Sequence, residues 1–125
     1  MYTIRGAITV ENNQEDEILK AVKDLINKIV KVNNLKKEDI ISFIFSTTED
    51  LDSVYPGQGV RELGFQRTSI MCLQEMYVEG LLEKCIRVMV FINDDKDKED
   101  IRHIYLKKAK NLRKDLNYMA EEPNL

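Results

Sequence analysis

Strand-length apolar runs, interrupted once by a long stretch with helical spacing, constrain the fold of this chain most. Four segments are rich in apolar, β-branched and aromatic residues, as strands are: Thr3–Val10, Ile40–Thr48, Thr68–Met76 and Cys85–Ile92. From Asn13 to about Asn34, apolar residues recur at spacings of three and four, which predicts an amphipathic helix. The run from Ile40 to Thr48 is almost continuously apolar, which predicts a strand covered on both faces.

A second helix is predicted near the end of the chain. Five apolar residues set its pattern over about four turns: Ile101, Ile104, Tyr105, Ala109 and Leu112. The segment "LDSVYPGQGVRELGF" reads as a loop that leads into a helical turn around Val60 to Leu63. The order β-α-β-β-β-α predicts a mixed α/β (α+β) fold with helices on one face of a small sheet. Because nothing is left to cover the other face, we expect an oligomer.

Length, charge and cysteine content limit the kinds of protein that this chain can be. A chain of 125 residues predicts one domain, residues 1–125, with a mobile tail from about residue 114. The net charge of −3 gives no global attraction to nucleic acid or to an anionic membrane. We expect a cytoplasmic protein, because no secretory signal or membrane span is present. Cys72 and Cys85 lack metal-ligand spacing and are predicted to be free thiols.

Three arginines stand where a purely structural role is awkward: Arg5 inside the first strand, Arg61 beside the glycine-rich loop and Arg87 inside "CIRVMVFI". A partly buried arginine needs an anionic partner, and arginine suits bidentate binding of carboxylates. If the first and fourth strands are close, Arg5 and Arg87 can converge on one anion. Alternatively, each points to solvent or pairs with a glutamate of this chain.

Glu75 and Cys72 lie on the third strand. Glu75 is a candidate ion-pair partner for Arg87, and Cys72 is by default a small buried apolar residue. The two are three residues apart, so on a regular strand they face opposite sides. They can meet one ligand only if the strand bends.

Tyr105 and His103 belong to the predicted last helix. Tyr105 fits its apolar stripe and is expected in the core unless the hydroxyl reaches a site. His103, the only histidine, has no catalytic partner at motif spacing and is expected on the helix surface. The sequence also lacks a Ser-His-Asp signature, HExxH, a P-loop and GxGxxG. An enzyme with this sequence is therefore expected to use no metal or cofactor and to work by binding and electrostatics.

Five motifs, in this order and spacing, resemble the monofunctional, trimeric chorismate mutases of bacteria, the AroH class: "IRGAITVEN", "LDSVYPGQGVREL", "CLQEM", "KCIRVMV" and "IRHIYLKKAKNLRKDL". The resemblance covers nearly the whole chain. It implies a homotrimer that forms a pseudo-α/β-barrel, a chorismate mutase II-like fold, with active sites between subunits. It also implies an isomerase that rearranges chorismate to prephenate in phenylalanine and tyrosine biosynthesis.

The resemblance implies roles for individual residues. Arg87 matches the donor to the ether oxygen of chorismate, and Arg5 and Tyr105 match positions that bind the side-chain carboxylate. Glu75 and Cys72 match positions near the ring hydroxyl. The remaining matches are Arg61 and Arg113, which favour the second carboxylate at the cleft mouth, and Tyr55, in a ring-packing wall that usually carries phenylalanine.

Gln58 departs from the family, in which a lysine is usual at this position. Because glutamine lacks the positive charge of that lysine, we expect this chain to have a higher KM and a nearly unchanged kcat. Two alternatives compete with the mutase. One is a trimeric enamine/imine deaminase of the Rid type, which also binds small carboxylates between subunits. The other is a non-catalytic module that binds small carboxylates.

Overall fold

A five-stranded mixed sheet organises residues 1–118, the part of the chain that the computed structural model describes. In chain order the elements are β1 (Tyr2–Thr9), α1 (Glu15–Val32), β2 (Ile40–Thr47), α2 (Gly57–Glu62), β3 (Ser69–Gln74), β4 (Cys85–Ile92) and β5 (Ile104–Tyr105). The strand order is β3-β2-β4-β1-β5. β4 runs antiparallel to β1 and β2, whereas β3 is parallel to β2 and β5 is parallel to β1.

The core lies between the sheet and α1. Alternate residues of β4, among them Ile86, Val88 and Val90, are buried with the apolar stripe of α1. Burying one such large aliphatic side chain stabilises the fold by about 1.5–3 kcal/mol. The four predicted strands and the first helix are therefore confirmed, with ends displaced by about two residues at most. The expectation that Ile40–Thr48 is covered on both faces is wrong within one chain, because Ile41 is 41% exposed.

Gly6 allows α1 and β5 to close against β1. A Cβ atom at this position would lie 2.9 Å from Cδ1 of Ile29 and 3.0 Å from the carbonyl oxygen of Ile104. The first distance is shorter than real Cβ contacts and the second, to a backbone oxygen, is unusually tight, so any side chain here would force α1 or β5 to shift. The glycine in the middle of the strand thus brings β5, which carries Tyr105, beside Arg5.

The predicted last helix is wrong. Residues 101–112 instead form β5 and a short 3-10 turn at Lys107–Asn111. Ile104 is buried in the core beneath the sheet, whereas Tyr105 and Ala109 are buried in a second cluster with Ala7 and Cys85. Neighbouring residues that face opposite sides are typical of a strand. Lys107, with a φ of +57°, also takes a left-handed conformation that interrupts any helix.

The loop after β2 ends in α2, which begins three residues before the predicted turn at Val60 and packs on α1. A Cβ atom at Gly59 would lie 2.9 Å from Cγ1 of Val22, so the two helices touch closely. No helix among the described residues is long and apolar enough to cross a membrane.

The sheet face opposite the helices is only partly covered within the chain. It carries the second cluster near β1 and β5, but Met71, Leu73 and Met89 are 58%, 50% and 36% exposed. We call these three residues the open apolar face. Contiguous exposed apolar side chains of this kind mark a surface that another molecule covers.

Candidate active site

Arg87 and Glu75 form an ion pair on the sheet face opposite the helices. Arg87 lies on β4 between Ala7 of β1 and Ser46 of β2. Glu75 directly follows β3, and its backbone N–H donates to the carbonyl of Thr47. The Arg87 Nε and Glu75 Oε1 atoms are 2.5 Å apart. Of the alternatives that the sequence leaves open for Arg87, the structure shows pairing with a glutamate of its own chain.

The ion pair leaves hydrogen-bonding capacity unused. Nε of Arg87 and Oε1 of Glu75 are both buried, and within residues 1–118 neither has a hydrogen-bond partner. The short contact between them is therefore a charge contact whose angles are unsuited to a hydrogen bond. Buried polar atoms without partners are costly. A polar ligand that formed hydrogen bonds with this ion pair would offset part of that free-energy cost.

Arg5 converges with Arg87 on the same cavity. In the antiparallel register, Ala7 is opposite Arg87 and Arg5 is opposite Met89, so the two arginines are diagonal neighbours on one face. Both line a cavity of about 360 Å³ that Tyr105 and Arg113 also line. We call this cavity the arginine pocket. The condition set from sequence, that the first and fourth strands lie close together, is therefore met.

Tyr105 reaches the arginine pocket from β5, which places it on a strand and not on the predicted helix. It lies opposite Ala7 and is 4% exposed. Burial raises the pKa of the Tyr105 hydroxyl, and the positive charges of Arg5, Arg113 and Arg87 oppose that shift. The hydroxyl therefore stays protonated near neutral pH and can donate a hydrogen bond to an anion.

Arg113 faces the pocket from the turn after the 3-10 segment. Its Nε and Nη2 atoms donate to the two carboxylate oxygens of Asp115, at 3.1 and 2.9 Å, and this pairing raises the pKa of Arg113. The predicted mobile tail, from about residue 114, includes residues 119–125, which lie outside the described residues.

Cys72 lies in a different pocket. Its side chain packs against the core on the helix side of the sheet, close to Gly57. With Tyr55, Pro56 and Thr47 it lines a cavity of about 560 Å³, which we call the loop pocket. β3 ends at Gln74 without bringing Cys72 to the face where Glu75 pairs with Arg87. The two candidate residues therefore face opposite sides of one chain.

The thiol of Cys72 is not activated. Burial raises its pKa, and a hydrogen bond from the Gly57 backbone only partly opposes this. A thiol with a raised pKa is a poor nucleophile. Tyr55, on the rim of the same pocket, is 77% exposed, so its ring is available to contact another molecule.

Gln58 and Arg61 lie on α2 and contact residues of their own chain. Nε2 of Gln58 donates to Glu62 at 3.1 Å. Nη1 of Arg61 donates to the carbonyl of Phe65 at 2.6 Å. Within residues 1–118, neither residue lines the arginine pocket.

His103 and Cys85 support the arginine pocket and were missed from sequence. His103 is half-buried and accepts a hydrogen bond from the Arg5 backbone N–H at Nδ1, 2.9 Å away, so the expectation of a helix surface position is wrong. Cys85 is fully buried two residues before Arg87, and burial raises its pKa to about 11. The pattern of Arg87 inside an apolar run indicated the site, but no spacing indicated these two neighbours.

Comparison with known proteins identifies relatives over most of the chain. The family model described as chorismate mutase type I matches residues 1–116. The chorismate mutase AroH of Bacillus subtilis (strain 168) is 48% identical over 115 residues, which cover 91% of each chain. The protein of the same name from Thermus thermophilus is 38% identical over 114 residues, covering 90% of this chain and 93% of the relative.

A solved structure agrees with these relatives. The chorismate mutase from Clostridium thermocellum superposes with a TM-score of 0.86 at 47% identity, covering 88% of this chain and 98% of that chain. The superposition confirms the α+β fold class predicted from sequence, and the fold is that of the chorismate mutases. These relatives leave the deaminase and the non-catalytic module without support.

Proposed function

Because the chain belongs to the type I chorismate mutase family, we propose that its arginine pocket and its loop pocket are two halves of an active site that adjacent subunits complete. The enzyme is an isomerase that converts chorismate to prephenate, a step of aromatic biosynthesis. One observation carries the assignment of the site: Arg5, Arg87, Tyr105 and Arg113 line one cavity, and Glu75 is paired with Arg87.

The reaction needs no nucleophile from the protein. Chorismate carries two carboxylates, a ring hydroxyl and an enolpyruvyl ether, and its rearrangement breaks the ether carbon–oxygen bond while a carbon–carbon bond forms. A site accelerates such a step by holding the side chain over the ring and by stabilising the charge that separates as the ether breaks. The raised pKa values of Cys72 and Cys85 agree with this, since both thiols stay protonated.

Arg87 is assigned to the bond that breaks. Its guanidinium donates to the ether oxygen, where negative charge builds, and the ion pair with Glu75 fixes its position. The Nε atom is buried against Glu75, so the N–H groups at the outer end of this guanidinium, whose side chain is 37% exposed, make this contact. One preorganised donor of this kind contributes about 10²–10³ in rate.

Arg5, Tyr105 and Arg113 are assigned to the carboxylates. Arg5 and Tyr105 hold the side-chain carboxylate, and fixing it selects the reactive conformer. Arg113 favours the second carboxylate, exchanging its bidentate contact with Asp115 for one with the substrate. Glu75 faces the ring, where positive charge develops, and accepts from the ring hydroxyl.

The loop pocket supplies the other wall from a neighbouring subunit of a homotrimer. Cys72 contacts the ring hydroxyl and Tyr55 packs on the ring. Arg61 and Gln58 lie at the cleft mouth, where Arg61 favours the second carboxylate with the N–H groups that Phe65 does not engage. Two observations support this arrangement: the halves face opposite sides of one chain, and the open apolar face needs a cover. We place this trimer in the cytoplasm, as suits a biosynthetic enzyme.

The loss of chorismate absorbance with time, with prephenate identified as product, tests the assignment of Arg87. Arg87→Ala is expected to lower kcat at least 10²-fold, and Arg87→Lys, a point charge without the planar fork, to restore part of it. Arg67→Ala, an exposed arginine outside the pocket, serves as the matched control and is expected to behave as wild type. Normal kcat in a folded Arg87→Ala enzyme would refute the assignment.

A further inference from the structure

The segment after β5 is held against the sheet by one asparagine. The side chain of Asn117, which is 7% exposed, accepts from the Tyr105 N–H at 2.9 Å and donates to the Tyr105 carbonyl at 3.1 Å. The carboxamide also donates to the carbonyl of Lys110 at 3.1 Å. Tyr105 lies on the outermost strand of the sheet, so Asn117 supplies the partners that a sixth strand would have supplied.

The same asparagine closes the turn that carries Arg113. The backbone N–H of Asn117 donates to the carbonyl of Arg113 at 2.9 Å, and that of Leu116 donates to the same carbonyl at 3.0 Å. The next residue, Tyr118, donates its N–H to the carbonyl of His103, and its ring lies under the guanidinium of Arg102. Asn117 is thus bonded at once to the strand of Tyr105 and to the turn of Arg113.

We propose that Asn117 is a positioning residue: its carboxamide clamps the backbone of Tyr105 and thereby docks the turn that places Arg113 at the arginine pocket before substrate arrives. A docked arginine loses less conformational freedom on binding than one on a free segment. The clamp therefore acts on substrate affinity and not on the bond that breaks. This inference rests on the proposed role of Arg113 toward the second carboxylate.

A double-mutant cycle measures the energetic coupling between Asn117 and Arg113. Arg113→Ala is expected to raise KM about tenfold, as for one lost charge-assisted hydrogen bond, and Asn117→Ala is expected to raise it by a similar factor with kcat nearly unchanged. In the Arg113→Ala background, Asn117→Ala should raise KM far less than it does in the wild type, because Arg113 is already gone and Tyr105 is still held by its pairing with β1. Independent, multiplying effects on KM would overturn the proposal.

Asn33 provides the matched control. It is 4% exposed, and its side chain accepts from the Arg102 N–H and donates to the Arg102 carbonyl, as Asn117 does at Tyr105. Asn33→Ala removes the same chemistry on the helix side of the sheet, so we expect a loss of stability without a change in KM. Asn117→Asp, which keeps the acceptor and loses both donations, provides a milder variant should the alanine variant not fold.

Limited trypsin digestion tests the docking without substrate. In the unliganded trimer, cleavage after Arg113 and Lys114 should be at least tenfold faster in Asn117→Ala than in wild type or Asn33→Ala. Equal cleavage rates would refute the clamp itself. If cleavage is faster but Arg113→Ala has a normal KM, Arg113 does not bind the second carboxylate, and the proposal that Asn117 positions it for substrate fails. The conclusion that Asn117 holds the turn against the sheet would still stand.

Discussion

The backbone N–H of Arg5 donates to Nδ1 of His103 across 2.9 Å, so the ring must be neutral and carry its proton on Nε2. Burial lowers the pKa of His103, and the charges of Arg5 and Arg113 lower it further. A protonated imidazole here would lose the hydrogen bond and add a third positive charge. The strand that presents Arg5 thus depends on an uncharged histidine.

Acid should destabilise the protein through this histidine. The folded state holds the pKa of His103 below the ordinary value of 6.5, so below pH 6.5 the unfolded state binds more protons and stability falls, levelling off once pH is below the lowered pKa. Denaturant unfolding at fixed protein concentration, at several pH values, measures this. His103→Asn retains an acceptor near Nδ1 and should lose this part of the pH dependence; an unchanged profile would contradict the account.

Removing the carboxylate of Glu75 should separate binding from turnover. Glu75→Ala leaves Arg87 without its partner, and we expect a stability loss of about 1–3 kcal/mol, between the values for exposed and buried pairs. The arginines remain, so a dianionic inhibitor should still bind while kcat falls. Titration calorimetry beside the kinetic assay checks both parts. A variant that turned over normally would show that Glu75 only holds Arg87.

Restoring a cation at the cleft mouth should improve affinity. Gln58 is exposed and donates to Glu62, so Gln58→Lys can be accommodated without repacking. We expect KM for chorismate to fall several-fold with little change in kcat, because the charge attracts the dianion and lies away from the breaking bond. The gain should shrink as salt is added. Steady-state kinetics of wild type and Gln58→Lys at two ionic strengths measure both effects. An unaltered KM in Gln58→Lys would refute the prediction.

A methyl group at Gly6 should disturb both fold and site. Gly6→Ala forces Ile29 and the carbonyl of Ile104 apart, at a cost of about 1–3 kcal/mol, and shifts β5 with Tyr105. Both stability and kcat/KM should fall. The control is Gly80→Ala, which has a φ of +82° and no atom within 4 Å of the added carbon, so only stability should fall, by about 1 kcal/mol. Equal kinetic effects of the two changes would contradict the packing argument.

The spacing of apolar residues predicts most of the fold. The prediction of the last helix is wrong for reasons of local backbone conformation. Four strands and α1 follow from alternation and from three-and-four spacing, and the charged residue in β4 indicated the site. The last helix failed because Ile104 and Tyr105 fit a helical stripe as well as a strand with two buried faces. A left-handed Lys107 is not visible in a pattern of apolar residues.

The supporting residues of the site were beyond sequence reasoning for a related reason. His103, Asn117 and Cys85 act through contacts that depend on the register of β5 and on the turn after it. A helix over residues 101–112 would place His103 on its surface, whereas the strand β5 brings it beside Arg5. The pairing of Arg87 with Glu75 was among the alternatives from sequence, because it needs only strands that lie close together and opposite charge.

Subunit mixing tests the shared active site most directly. Arg87→Ala disables the arginine pocket, and Tyr55→Asp, which puts a carboxylate beside the dianion, disables the loop pocket. Co-expressed with different tags and purified over both, hybrid trimers should recover about one third of wild-type activity, because in a three-fold ring one interface of three joins two intact halves. Activity no higher than that of the two inactive parents would show that each subunit carries its own complete site.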